Sequence, residues 1–379
     1  MRIDIFHNIR WSRYKARVFS ALHSISLESN QNIHFFQIAD TSGQRKELSA
    51  VDLDYHRYPH ILLFPGSYES IPRLKLIATL FSKVFQSDAE LVLIPGYDRV
   101  EHWGMLLAAI LSKKKRAVFC DSTLYDRNQS YIKGLFKKLY FSLCNGVFCY
   151  GTRARDFLLH YGVNPKDIYY RVQAAALPKS YSIEGASSRR CELAPSAALP
   201  RFLYVGRLSS EKSVDVLIRA FSHVHISNPL AQLVLVGAGS ELPTLSALAV
   251  NLNLTESVEF LGSMNQDNLA EQYSAATCLI LPSHSEPWGL VVNEALHYGC
   301  PVIVSHRCGC TPELLQNQLS GLTFEAGNWE ELANKMLQAI DLYSNTSRTT
   351  ESCLSTVEPF TPFNSANQIL SGCTKILEN

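Results

Sequence analysis

Residues 278–305 read CLILPSHSEPWGLVVNEALHYGCPVIVS, and this stretch decides the architecture. Cys278 to Leu281 is a strand-length apolar run, Leu290 to Tyr298 is compatible with a helix, and Val302 to Val304 is a second apolar run. A run, a helix and a run again imply two parallel strands joined by a crossover helix. Pro287 and Gly289 punctuate the loop between strand and helix, and the helix is expected to begin near Gly289.

The same alternation extends outward in both directions. Upstream lie Phe202 to Val205, Leu233 to Val236 and Val258 to Leu261, with a helical pattern over Val214 to Val224. The first half repeats the arrangement with Ile3 to Phe6, Ile33 to Ile38, Ile61 to Phe64, Leu91 to Ile94, Ala117 to Cys120 and Gly146 to Tyr150. At 379 residues the chain suits two α/β domains. The expected fold class is therefore α/β, with two Rossmann-like domains facing across a cleft and a ligand site in that cleft, at the carboxyl ends of the strands. Between them SYSIEGASSRRCELAPSAALP, residues 180–200, is rich in Ser, Ala and Pro and reads as a linker. The expected division is 1–183, a linker over 184–199, and 200–359, with a final helix over 360–379.

Bulk properties bound the function. Hydrophobic residues make up 46% and charged residues 18%, a folding composition. The formal charge of +1 conceals a split: residues 1–190 carry 27 Lys and Arg against 16 Asp and Glu, and residues 191–379 carry 8 against 18. A half at +11 and a half at −10 point to an anionic partner for the first, or to unevenly placed solubility charge. Nucleic acid is not the expected partner. Ten scattered cysteines and a start, MRIDIFHNIRWSR, without an apolar signal region imply a reducing cytoplasm. Cys308 and Cys310 lack a second pair at metal-ligand spacing, so no metal site is expected. No apolar run approaches the ~18–20 residues that cross a bilayer, so any membrane contact would be peripheral.

Three segments of the second half carry the candidate chemistry. In YVGRLSSEKSVDVLIRAF, residues 204–221, a strand ends at Gly206, and Arg207 and Lys212 precede a helix. Two cations beside a helix N-terminus suit a phosphate, although two solvated surface cations would read the same way. In VLVGAGSEL, Gly237 and Gly239 allow a tight turn after a strand, but Leu242 stands where a dinucleotide fingerprint needs its third glycine. In the opening stretch, Glu286 precedes Gly289, and Glu294 lies one turn inside the helix on the face of Leu290. Amides at the helix start for a phosphate and carboxylates for sugar and ribose hydroxyls would suit a polyol phosphate. A helix-dipole partner for Glu286 and an internal salt bridge for Glu294 are the structural alternatives.

Over residues 200–340 the sequence resembles the retaining family-four glycosyltransferases of the GT-B fold, through GRLSSEK, the Glu286 and Glu294 pair, and CGCTPELLQNQLSGLTFEAGN. The resemblance implies that Arg207 and Lys212 bind a donor diphosphate, Glu286 the transferred sugar and Glu294 the ribose. Gly206, Gly237, Gly289 and Leu290 complete the expected donor site. It also implies a UDP- or GDP-linked sugar donor, retention of anomeric configuration, no cofactor or metal, and a last helix crossing back to the first domain.

The first half departs from that family in two places. NIRWSRYKAR stands in place of a Gly-rich loop, and FCDSTLYDR lacks the usual His, with Asp121 as the nearest replacement. Asp121 is expected either in the cleft, contacting sugar or acceptor hydroxyl, or as a helix N-cap. His102 is a further candidate that also reads as structural, and the region of His7, Trp11, Arg13 and Lys15 could line an acceptor site. Lys113 to Arg116 form a four-cation run, and Lys133, Lys137 and Lys138 decorate the apolar YIKGLFKKLYFSL. That pattern fits docking to anionic lipid, or a solvated helix face.

The expected activity is transfer of a sugar from a nucleoside diphosphate to a hydroxyl acceptor, lipid-linked or otherwise anionic, in cell-surface polysaccharide or glycolipid assembly. The rival readings are a nucleotide-sugar epimerase, a dinucleotide oxidoreductase, which the incomplete fingerprint opposes, and a non-catalytic sugar- or lipid-binding partner.

Overall fold

A computed structural model describes residues 1–43, 51–126 and 130–379. The chain divides into two units, one of Met1–Leu124, Asn128–Ala176 and Thr361–Asn379, the other of Tyr125–Arg127 and Leu177–Phe360.

The first unit is built on strands β1 (Arg2–Ile9), β2 (Asn32–Ala39), β3 (Ile61–Leu62), β4 (Leu91–Ile94), β5 (Lys115–Cys120), β6 (Gly146–Cys149) and β7 (Ile168–Tyr170). They form one parallel sheet in the order β3-β2-β1-β4-β5-β6-β7. Successive side chains of a strand point to opposite faces, and both faces are covered. Ile3, Ile5, Leu91, Leu93, Ala117 and Phe119 enter one core, and Phe6, Val92, Ile94, Val118 and Cys120 enter the other. This two-sided burial is why LVLI and GVFC are unbroken apolar runs and not alternating ones.

The second unit carries β8 (Arg201–Val205), β9 (Gln232–Val236), β10 (Val258–Gly262), β11 (Cys278–Leu281), β12 (Val302–Ser305) and β13 (Gly321–Phe324). These are parallel in the order β10-β9-β8-β11-β12-β13, the Rossmann order. Both units are thus Rossmann-like α/β sheets. Every strand read from sequence is present. The additional strands β7 and β13 are short edge strands, each hydrogen-bonded to a single neighbour.

The stretch 184–199, expected as a linker, instead carries the helix Ile183–Leu193 of the second unit. The Ser182 hydroxyl caps it by accepting the Gly185 amide at 3.0 Å. Its Arg190 is 1% exposed and donates to the carbonyl oxygens of Ser274 at 2.9 Å and Ala276. A cation is favourable there, because those carbonyls end the helix Gln266–Ser274. Ser and Ala make the segment look like a linker, and one buried arginine makes it part of a core.

The last helix, Pro362–Glu378, belongs to the first unit. Its Ala366, Ile369, Cys373 and Ile376 join the core that holds Phe119 and Phe148, and the Gln368 side chain accepts the Val172 amide at 2.7 Å. Gly372 is needed for this contact, since a Cβ there would lie 2.5 Å from the Phe148 ring. No helix among the described residues is long and apolar enough to cross a membrane. Gly372→Val is expected to lower unfolding stability by roughly 1–3 kcal/mol through overpacking, measured by urea denaturation; an unchanged midpoint would mean that the helix does not rest on Phe148.

Candidate active site

In the second unit the strand order reverses between β8 and β11, which are hydrogen-bonded neighbours. Connections leave these two strands toward opposite sides, and a crevice opens outside their carboxyl ends. All the candidate residues of the second half except Gly237 and Gly239 leave from one or other of them.

Gly206 follows β8, and from there the chain continues alongside the segment after β9, with Leu208 donating to the Ala238 carbonyl at 2.9 Å. Gly237 and Gly239 permit this approach. A Cβ at Gly237 would sit 1.8 Å from the Gly206 oxygen, and one at Gly239 2.1 Å from the Leu208 oxygen. The short helix Ser210–Lys212 ends at Ser213, a left-handed residue (φ 49°) that caps the helix Val214–Ser227.

The loop after β11 is tied to this segment through its backbone, because the Glu211 carbonyl accepts the amides of His284 at 2.9 Å and Ser285 at 3.4 Å. Lys212 then reaches Glu286, its Nζ donating to Oε2. The side chains of this pair are only 12% and 16% exposed. Lower dielectric strengthens the pair and holds both groups in one geometry. Glu286 is fixed by its own backbone too, its carbonyl accepting the Gly309 amide at 2.9 Å.

Gly289 caps the helix Leu290–His297 at φ +99°. A Cβ there would lie 2.8 Å from Leu281 and 3.5 Å from the Glu286 Cγ, so only glycine lets the helix start beside that carboxylate. Leu290 is the first helical residue. One turn on, the Glu294 carboxylate accepts from the Tyr273 hydroxyl at 3.0 Å. Burial, and then the Glu294 charge, push the Tyr273 hydroxyl well above its ordinary pKa, so it remains a donor. The structure therefore joins Lys212 to Glu286 and sets Gly289 beside them. Arg207 turns to Glu211 on its own loop, 2.9 Å away, and is half exposed. Ser283, which no sequence signal singled out, is fully buried in the loop after β11 with no hydrogen-bond partner for its hydroxyl among the described residues.

The first unit has its own reversal, between β1 and β4, and a pocket of about 250 Å³ lies at those strand ends. His7, Ser12, Lys15, Arg99 and Asp121 are among its lining residues. Asp121 follows β5 and accepts from Arg171 at 2.6 Å. It is no helix N-cap, because the residue at that position before the next helix, Tyr131–Ser142, is Ser130. Lys15 donates to the Tyr150 hydroxyl at 2.7 Å and lies 4.0 Å from the Asp121 carboxylate. Arg171 stacks 3.7 Å over the Tyr150 ring. Burial, and then the Arg171 charge, lower the Lys15 pKa to about 7 against the opposing pull of Asp121. Ser12, at the N-terminus of the helix Arg13–Glu28, is 3% exposed and its hydroxyl has no partner among the described residues.

His102 does not line this pocket. It is fully buried against Asn8, and burial lowers its pKa to about 3, which keeps the ring neutral. Arg171 and Tyr150 were invisible as site residues in the sequence, since Tyr150 merely ends a strand-like run and Arg171 follows β7, a strand the sequence did not signal. Among the described residues no group of three His, Cys, Asp or Glu is placed to hold a metal ion.

Residues 192–352 match the family model described as glycosyl transferases group 1. This part of the chain is thus similar to the group 1 glycosyltransferases. An uncharacterized glycosyltransferase of Methanocaldococcus jannaschii is 34% identical over 131 residues, 35% of this chain and 33% of that protein. A D-inositol 3-phosphate glycosyltransferase of Streptomyces bingchenggensis is 29% identical over 194 residues, 48% of this chain and 42% of that protein. The matched stretches thus span less than half the length of these relatives. The Anabaena protein HepE, solved with UDP and glucose, superposes with a TM-score of 0.73 over 99% of this chain and 100% of its own, at 18% identity. At that identity the likeness establishes the fold alone, two Rossmann-like domains of the kind found in GT-B structures.

The buried Lys15 gives the first unit a pH signature. The unfolded chain keeps the lysine proton up to about 10.5, whereas the folded chain releases it near 7. Between these values the unfolded state holds more protons, so raising the pH favours the folded state. Wild type is expected to gain stability relative to Lys15→Met from pH 7 to pH 10, measured by denaturation at each pH; parallel curves would show that Lys15 titrates normally.

Proposed function

We propose that this protein transfers a glycosyl group from a nucleoside diphosphate sugar, UDP- or GDP-linked, to a hydroxyl acceptor with retention of configuration. The observation that carries this reading is the Lys212–Glu286 contact at the strand reversal, between the loop bearing Arg207 and the glycine-led helix start at Gly289. In transfer the bond from the anomeric carbon to the phosphate oxygen breaks and the diphosphate leaves with the electron pair. Positive charge develops on the sugar, and the acceptor oxygen forms the new bond as its proton passes to the departing diphosphate oxygen. Lys212, Arg207 and the amides at Gly289 would stabilise the leaving diphosphate, while Glu286, held by Lys212, faces the sugar. Protein cations and amides then do what a metal does elsewhere, and no cofactor beyond the donor is required. Glu294 would hold the ribose hydroxyls, its geometry set by Tyr273.

The pocket of the first unit is our candidate for the acceptor, with Asp121 at the hydroxyl. Lys15, Arg99 and the unpartnered Ser12, which line it, suit an acceptor bearing an anionic group, as in the relative named for D-inositol 3-phosphate. A role in cell-surface polysaccharide or glycolipid assembly would be compatible with such an acceptor, and ten cysteines, mostly buried, suit a reducing cytoplasm. An epimerase or a silent binding partner is not favoured, since the family matched is one of transferases.

Removing one charge that stabilises the leaving group is expected to cost about 10²–10³-fold in rate. Lys212→Ala and Arg207→Ala should each show such a loss of sugar transfer from UDP- or GDP-sugars, with circular dichroism unchanged; full activity in Lys212→Ala refutes the diphosphate assignment. Glu294→Gln should raise KM for the donor several-fold while changing kcat less, and an unaltered KM would remove the ribose contact.

A further inference from the structure

The helix Tyr131–Ser142, YIKGLFKKLYFS, faces the wrong way for a helix whose apolar residues serve the core. Tyr131, Ile132, Leu135, Phe136 and Leu139 are between 50% and 82% exposed. At ~100° per residue they occupy one arc of about 140° pointing away from the protein. The opposite side makes the contacts: Tyr140 and Phe141 are buried, and Lys137 lies 4.8 Å over the Phe157 ring and 4.7 Å over that of Tyr161. Lys137 is thus taken up by its own unit, and the exposed Lys138 and Lys133 stand at the two edges of the apolar arc.

The apolar surface continues onto the neighbouring helix Val100–Leu111. Trp103 meets Phe136 edge to face at 6.3 Å, and Leu107 and Leu111 follow Trp103 at four-residue steps, both more than half exposed. Lys113, also exposed, ends that row. At its far end the helix Tyr131–Ser142 is tied to the basic strand β5, where Arg116 donates to the Leu143 carbonyl at 2.6 Å. The twelve helical residues include three lysines and no acid.

We infer that this face of the first unit docks on an anionic lipid surface, with Ile132, Leu135, Phe136 and Leu139 entering the acyl boundary and Lys133 and Lys138 meeting lipid headgroups. An apolar strip bordered by lysines matches the interfacial region of a bilayer in both polarity and charge. The helix carries no acid to answer those cations, so their counter-charges come from what the face meets, as the anionic headgroups of a lipid surface supply. A contiguous apolar surface of this kind is uncommon on a soluble monomer unless something covers it. The inference stands apart from the glycosyltransferase reading, because it uses none of the residues assigned to donor or acceptor.

The test is flotation of the full chain with vesicles of phosphatidylcholine alone and of phosphatidylcholine mixed with anionic phosphatidylglycerol. Wild type is expected to bind the anionic vesicles, and raising the salt should weaken this binding. Lys133→Glu with Lys138→Glu should reduce partitioning on the order of tenfold or more. Leu135→Ser with Phe136→Ser should reduce it at least as far. Both pairs are exposed, so the melting temperature should be preserved; the lysine pair keeps the test open if the serine pair fails to fold. Binding to neither vesicle, equal binding to both, or unchanged binding by the lysine variant overturns the inference.

Discussion

One backbone carbonyl organises the candidate donor site. Glu211 O accepts the amides of His284 and Ser285, and this ties the loop after β8 to the loop after β11. Without that tie Lys212 and Glu286 would be two charges on separate loops in water, worth a fraction of a kcal/mol to each other. With it they meet as a largely shielded pair at the point where the strand order reverses. The glycines serve the same end. Gly237 and Gly239 let two loops lie flush, and Gly289 lets a helix begin against Leu281 and Glu286.

The first unit solves a different electrostatic problem. Lys15, Arg171 and Asp121 occur together with two cations for one carboxylate, and both cations are almost wholly buried. Tyr150 relieves part of the cost by accepting from both and by offering its ring to Arg171. The remainder shows as a lysine that gives up its proton near neutral pH. Such a residual imbalance beside a pocket is the physical mark of a place built for something other than stability.

The helix Tyr131–Ser142 shows the limit of pattern reading. Its residues form an amphipathic sequence, and amphipathicity alone says that one face is apolar, not which way that face points. Orientation was settled by Tyr140, Phe141 and Lys137, which found aromatic partners within the unit and left the larger apolar arc outside.

The sequence by itself determined the two parallel sheets, because buried strands such as CLIL and LVLI must be continuously apolar and the segments between them are helical in period. It also marked Lys212, Glu286 and Gly289, since cations, a carboxylate and a glycine at strand ends keep their chemical meaning without coordinates. Tertiary structure alone decided that Lys212 pairs with Glu286 while Arg207 turns to Glu211. It alone made the Ser- and Ala-rich stretch around Arg190 a buried helix and brought Arg171 and Tyr150 to Lys15. Apart from the local Arg207–Glu211 pair, these contacts join residues far apart in the chain, 135 positions for Lys15 and Tyr150, and are set by strand order and by the burial of charge, which leave no local trace in the chain.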